Sequence, residues 1–275
     1  MLKQRLITAA ILVPLVVWAI LALPSHLLLS LFAGVAALAA WEWLQLMDFD
    51  AKPTKFALLA LALLMGWSAL AFLPFAVILF ATVMAWLLAT LLVVFYAAKP
   101  LSDSISQLFR HPLFGFLAMW LILTGFVASA GFLHNNWSQG PALLLFVMVT
   151  VWLADTGGYF AGKRYGKHKL AVAISPNKTW EGVAGALVLA LLWATGFYFV
   201  VGDLSLSLMP WLLLTVFIVM VSVVGDLLES VFKRCFDKKD SGQLLPGHGG
   251  ILDRVDSLLA ALPVFTASLL AGMWV

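Results

Sequence analysis

Apolar residues along this chain fall in long runs separated by short polar breaks. The runs are Leu6–Leu23, Leu27–Met47, Phe56–Leu73, Phe75–Ala97, Leu113–Leu133, Pro141–Ala161, Glu181–Val201, Leu208–Leu228 and Ile251–Val275. A bilayer core about 30 Å thick takes roughly 20 residues of helix. Lipid also leaves no partner for an unpaired backbone group, so runs of this length are expected to be helical. The pattern predicts an all-α, polytopic membrane protein with about nine transmembrane helices. The break at Leu73-Pro74 is the shortest, and fusing the spans that flank it gives eight as the nearest rival. The first run follows Lys3 and Arg5 as a signal peptide would, but it lacks a small-residue cleavage site and reads as a retained helix.

Composition agrees with lipid as the solvent. Of 275 residues, 64% are hydrophobic and 11% charged, against roughly 45–50% and about 25% in ordinary globular domains. A disordered chain and a nucleic-acid binder both need more charge, so neither class fits and no nucleic-acid partner is expected. The single cysteine, Cys235, excludes a disulfide framework and a cysteine-ligated metal cluster.

The basic residues set the orientation. With nine spans and a cytosolic N-terminus, all 16 Lys and Arg residues fall on inner segments, from Lys3 and Arg5 through to Lys238, Lys239 and Arg254. The expectation is therefore a multi-pass protein of the cell inner (cytoplasmic) membrane with its C-terminus outward. The net charge of +3 is in this light a topological signal.

Polar residues are unevenly spread. Residues 1–139 read as scaffold or dimer-forming helices, with Glu42 the one clear intramembrane acid among them. Residues 140–275 read as the catalytic half, with a cytosol-facing site built from three clusters. The first runs from Trp152 through Asp155, Gly157 and Gly158 to Gly162-Lys163-Arg164. A buried carboxylate at this depth needs a partner, and the plainer reading pairs Asp155 with Lys163 or Arg164. The second is Ser175-Pro176-Asn177-Lys178-Thr179-Trp180-Glu181-Gly182. Here Asn177 or Thr179 can cap a helix starting near Trp180. Lys178 beside that helix start suits a phosphate, while the plainer reading is a capped helix with a snorkelling lysine.

The third cluster is the most specific. Asp226 and Glu229, spaced i and i+3, share a face at the inner end of the eighth span, and Asp253 and Asp256 repeat the spacing at the start of the ninth. Carboxylates gathered at one depth repel unless a cation joins them, and oxygen-only ligands point to Mg²⁺ or a similar hard ion. Lys233, Arg234, Lys239 and Arg254 stand nearby in sequence, with His248 flanked by Gly247, Gly249 and Gly250. Acids for a hard cation beside bases for phosphate are the parts of a phosphoryl- or nucleotidyl-transfer site.

Residues 230–256 resemble, position for position, the signature of phosphatidate cytidylyltransferases (CDP-diglyceride synthases). Ser230, Lys233-Arg234, Lys239-Asp240, Gly242, Pro246, His248-Gly249-Gly250 and Asp253-Arg254-x-Asp256 fill it without a gap. Ser175–Gly182 and Asp155–Tyr159 look like the family's as well, whereas the N-terminal half matches only in being hydrophobic. The resemblance implies an enzyme that converts CTP and phosphatidic acid to CDP-diacylglycerol and pyrophosphate in the membrane. It also implies a homodimer and a divalent metal, usually Mg²⁺, with K⁺ an optional companion, and places metal ligands at Asp226 and Asp253.

Asp226, Asp253, Lys233 and Arg254 are expected to be catalytic, and Asp226, Asp253 and Asp256 to hold metal. Lys178, Asn177, Ser230, Arg234, Lys239, His248, Gly249 and Gly250 are expected to bind substrate. Two alternatives are a phosphatidyl- or glycosyl-phosphate transferase, which also uses membrane-edge acids and Mg²⁺, and an ion or solute transporter. An alcohol-phosphatidyltransferase would need an Asp-Gly…Ala-Arg pattern that is missing, and a transporter would place its polar residues near the midplane in repeated halves.

Overall fold

The computed structural model describes residues 2–49, 51–97, 99, 102–202, 206–244 and 249–272. Long helices occupy every apolar run: α1 (Leu2–Ala22), α2 (Ser25–Leu46), α3 (Lys52–Phe72), α4 (Phe75–Tyr96), α6 (Pro112–Asn136), α7 (Gly140–Tyr165), α8 (Trp180–Val201), α9 (Leu208–Cys235) and α10 (Leu252–Leu270). The protein is all-α apart from one small hairpin. Among the described residues, seven helices, α2–α4 and α6–α9, are long and apolar enough to cross a membrane. In α1 the described side chains, Ala10–Ala22, are apolar but too few for the same measure. In α10 the first turns carry Asp253, Arg254 and Asp256, too many charges for its 19 residues to meet the same measure. Among the described residues, seven helices thus meet this measure, against nine expected spans.

Two elements lie inside breaks that the apolar pattern leaves as loops. Helix α5 (Asp103–Arg110) is short and amphipathic, capped by Ser102 Oγ accepting from the Ile105 N–H at 3.4 Å. Strands β1 (Lys169–Ala171) and β2 (Ser175–Thr179) pair antiparallel between α7 and α8.

Cross-helix contacts sort the helix ends into two groups. His134, near the C-terminus of α6, meets Ser25 Oγ at 3.0 Å and the Ile20 carbonyl at 3.0 Å, so the α1–α2 turn and the end of α6 share one face. At the opposite face, Lys238 donates to the Gln45 and Leu46 carbonyls at the end of α2. Arg110 bonds the Cys235 carbonyl at the end of α9. The Ala173 N–H reaches the Ala97 carbonyl just beyond α4 at 3.4 Å.

Close packing of small residues and interlocked aromatic rings hold the bundle, as expected where lipid gives no hydrophobic drive between helices. Phe146 of α7 packs against Trp211 of α9 at 4.3 Å and Phe197 of α8 at 4.8 Å. The Trp211 indole N–H is not left orphaned; it donates to the Ala194 carbonyl at 3.1 Å. Buried Thr82, Thr150, Thr215 and Thr266 each return their hydroxyl to the carbonyl four residues back, which satisfies them without water.

Candidate functional site

Helices α7 and α8 approach until their backbones touch, with Gly157 against the Gly185 carbonyl and Gly182 opposite Gly158. Helices α9 and α10 do the same at Gly225, where a Cβ would stand 2.7 Å from the Asp256 carbonyl oxygen. These two seams bring acids of three helices, α7, α9 and α10, around one cavity of ≈ 900 Å³. Its walls include Asp155, Asn177, Lys178, Asp226, Lys233, Asp240, Gly249, Asp253, Arg254 and Asp256. The three polar clusters, far apart in sequence, are one site.

Two lysines and three acids of the site are paired. Lys178 Nζ lies 2.5 Å from Asp226 Oδ2. Lys233 bridges Glu229, one turn back on α9, and Asp253 Oδ1 at 2.7 Å. Asp253 also accepts from the Ser241 N–H at 3.1 Å and the Gly250 N–H at 2.9 Å, so protein donors surround both its oxygens. Gly249 turns the chain for that contact with φ +83°, a conformation glycine adopts without strain. Asp256 accepts from the neighbouring Ser257 N–H. The expected pairing of Asp155 with Lys163 or Arg164 is not formed; Lys163 lies over the Tyr159 ring instead, 5.6 Å from its centre.

Before α8, the cap is Thr179, whose Oγ1 accepts from the Gly182 N–H at 3.1 Å. Lys178 therefore belongs to β2 and reaches the cavity from a strand, not from the first helical turn. Glu181 ties the hairpin down by accepting from the Lys167 and His168 N–H groups.

The expected site residues divide. Asn177, Lys178, Asp226, Lys233, Gly249, Asp253, Arg254 and Asp256 line the cavity. Ser230, Arg234, Lys239 and Gly250 are not in its wall. Arg234 follows Lys233 on the helix and so points about 100° away, where it donates to the Lys238 carbonyl at 3.4 Å. Gly250 is buried under the α9–α10 loop and supports Asp253 through its N–H. His248 lies outside the described residues. Asp155 and Asp240 in the wall, and Glu229 behind Lys233, join the site without having been assigned a role. The i, i+4 spacing of Glu229 and Lys233 was the signal available for that last pair.

Carboxylate oxygens crowded into one cavity are the donor chemistry of a hard divalent cation. Asp226 pairs with Lys178 and Asp256 accepts from the Ser257 N–H, while both oxygens of Asp253 are engaged. Among the described residues, no three acids or histidines stand together at metal-ligand spacing. A cation here would draw Asp226 out of its pairing with Lys178.

The sequence pattern described as "Cytidylyltransferase family" matches residues 3–271. The chain is 41% identical over 279 residues to a protein of Pseudomonas aeruginosa named phosphatidate cytidylyltransferase, covering 100% of this chain and 99% of that relative. A Haemophilus influenzae protein of the same name is 37% identical across 97% of this chain and 98% of its own length. A Bacillus subtilis namesake is 45% identical over 150 residues, 54% of this chain and 55% of its own.

Proposed function

This chain belongs to the cytidylyltransferase family, and from that premise we infer that it is a membrane-bound phosphatidate cytidylyltransferase. It makes CDP-diacylglycerol and pyrophosphate from CTP and phosphatidic acid in phospholipid synthesis. The observation that carries this reading is the convergence of Lys178, Lys233 and Arg254 with four aspartates, Asp155, Asp226, Asp253 and Asp256, in one cavity where helix ends meet.

The chemistry asks little of a general base. A phosphate oxygen of phosphatidic acid, already anionic, attacks the α-phosphorus of CTP. The new O–Pα bond forms as the bond from Pα to the bridging oxygen breaks, and that oxygen leaves with pyrophosphate. The site must hold two anions together and offset their charge. Lys233 and Arg254 face the cavity from α9 and α10 and are suited to the triphosphate. Lys178 approaches from the hairpin beside the exposed Trp180, a side chain suited to the interface, and is suited to the lipid phosphate. Mg²⁺, held among Asp226, Asp253 and Asp256, would supply further neutralisation of the triphosphate.

The cavity face is read as cytosolic, because CTP is cytosolic and every Lys and Arg is assigned to that side. The same reading gives an inner-membrane protein with an outward C-terminus. A homodimer belongs to the proposal as well. Purified protein in phosphatidic acid micelles with radiolabelled CTP tests the activity. Label should pass into a lipid-soluble liponucleotide with release of pyrophosphate, and no transfer at any divalent-cation concentration would reject the reading.

A further inference from the structure

We propose that Glu42 is a positioning residue for nucleotidyl transfer, holding the α9–α10 loop from the N-terminal half of the chain. The inference rests on the cytidylyltransferase reading and deepens it.

Glu42 sits in α2 with 1% of its surface exposed. A carboxylate this deep costs several kcal/mol unless donors surround it, and three do. Its Oε1 accepts from the Ile251 N–H at 3.0 Å, and its Oε2 accepts from the Leu252 N–H at 2.8 Å and the Ser241 hydroxyl at 3.1 Å. Helix α10 has no side-chain cap of its own. Glu42 supplies one from about 210 residues away in sequence, placing negative charge at the positive end of the helix.

The same loop segments hold Asp253 from the other side. Ser241 gives its hydroxyl to Glu42 and its N–H to Asp253. Gly250 gives its N–H to Asp253, and the next N–H, of Ile251, goes to Glu42. Asp253 in turn fixes Lys233. A shift of Glu42 must therefore pass through two short links into the cavity wall.

Two signature glycines acquire a reason from this contact. A Cβ on Gly242 would stand 2.6 Å from Glu42 Oε1, and one on Gly250 would collide with Glu42 Oε2 and Ser241 Oγ. They make room for the carboxylate, whereas the sequence pattern suggests a ligand. Lys238 secures the arrangement at its far end, donating to the Gln45 and Leu46 carbonyls and pairing with Asp48.

The test uses the full chain in mixed micelles. Glu42→Gln keeps the shape but turns one oxygen into an NH₂ group facing N–H donors. We expect kcat to fall by about 10–100-fold, as a misplacement of catalytic groups would produce. The KM for phosphatidic acid should stay within about twofold. Hydrogen exchange should quicken in residues 240–253 and not in α7 or α8, with little change in Tm. Glu42→Asp, which restores charge on a shorter stem, should recover part of the kcat. Gly250→Ala displaces the carboxylate with its charge intact and should give the same selective loss. Wild-type kcat in Glu42→Gln overturns the proposal. So does loss of fold in both Glu42→Gln and Gly250→Ala, which would make the contact structural only. An inactive wild-type protein would instead reject the nucleotidyl-transfer reading, a result distinct from either.

Discussion

Lys178 Nζ stands 2.5 Å from Asp226 Oδ2 across the cavity, joining the hairpin before α8 to the C-terminal part of α9. Each neutralises the other in this arrangement. Both can then turn to substrate charge at little desolvation cost, the lysine toward a phosphate and the aspartate toward a cation. The pair joins two polar clusters separated by about 50 residues of sequence.

Lys178→Ala should therefore weaken use of phosphatidic acid more than use of CTP. Lys178→Arg should rescue only in part, because a planar guanidinium does not reproduce a compact ammonium. Apparent KM values for each substrate in mixed micelles decide this, with folding checked by size exclusion. An unchanged phosphatidic acid KM and kcat would leave Lys178 a structural partner of Asp226.

The two principal aspartates should fail differently. Asp226→Asn and Asp253→Asn are each expected to lower activity at least about a hundredfold, a loss of several kcal/mol of charge stabilisation. Asp226 has one ion-pair partner, so its variant should need more Mg²⁺ and recover part of its activity at high concentration. Asp253 accepts from Lys233, Ser241 and Gly250. An amide there would set an NH₂ group against one of those donors, and added Mg²⁺ should not help. A Mg²⁺ titration of both variants checks the contrast; near-normal activity in either would remove that residue from the site.

How much of this could be read from the chain depends on the range of the interactions. Apolar runs record solvation directly, so every long helix could be located. The acids at 226, 229, 253 and 256 were legible because helical spacing is local. Helix α5, with 8 residues, and strands of 3 and 5 residues are too short to leave a periodic signal inside polar breaks. Glu42 stood out as a lone intramembrane acid and still looked like scaffold, since its partners lie 199–210 positions away. Arg234 and Lys239 lie within the signature, yet neither reaches the cavity wall.

Gly225 offers a test of the α9–α10 seam. Any side chain there presses on the Asp256 carbonyl, 2.7 Å from a Cβ, and on Ala260. Gly225→Val should cost about 1–3 kcal/mol through overpacking and separate Asp226 from Asp256. Thermal unfolding in detergent should show a lower Tm, together with an activity loss larger than Gly196→Val produces. Gly196 has nothing within 4 Å of its Cβ position and serves as the control. Equal behaviour of the two variants would mean that the seam does not set the site.

The crossing number can be decided at the C-terminus. Helices α3 and α4 are separate, with Leu73 ending one and Pro74 preceding the other. The chain just beyond α4 meets the hairpin loop through Ala97 and Ala173, and that hairpin lies at the cavity face with the end of α2. Thus α3 leaves this face and α4 returns to it, which an eight-span chain fusing the two would not do. If α1 and α10 cross as well as the seven apolar helices, the count is nine, the odd number that would place all 16 basic residues on one side. A phosphatase that works only outside the cytosol, fused after Val275, should then be active. A reporter confined to the cytosol, fused at the same point, should be silent. The reverse pair of results would put the C-terminus beside the CTP site and reject this topology.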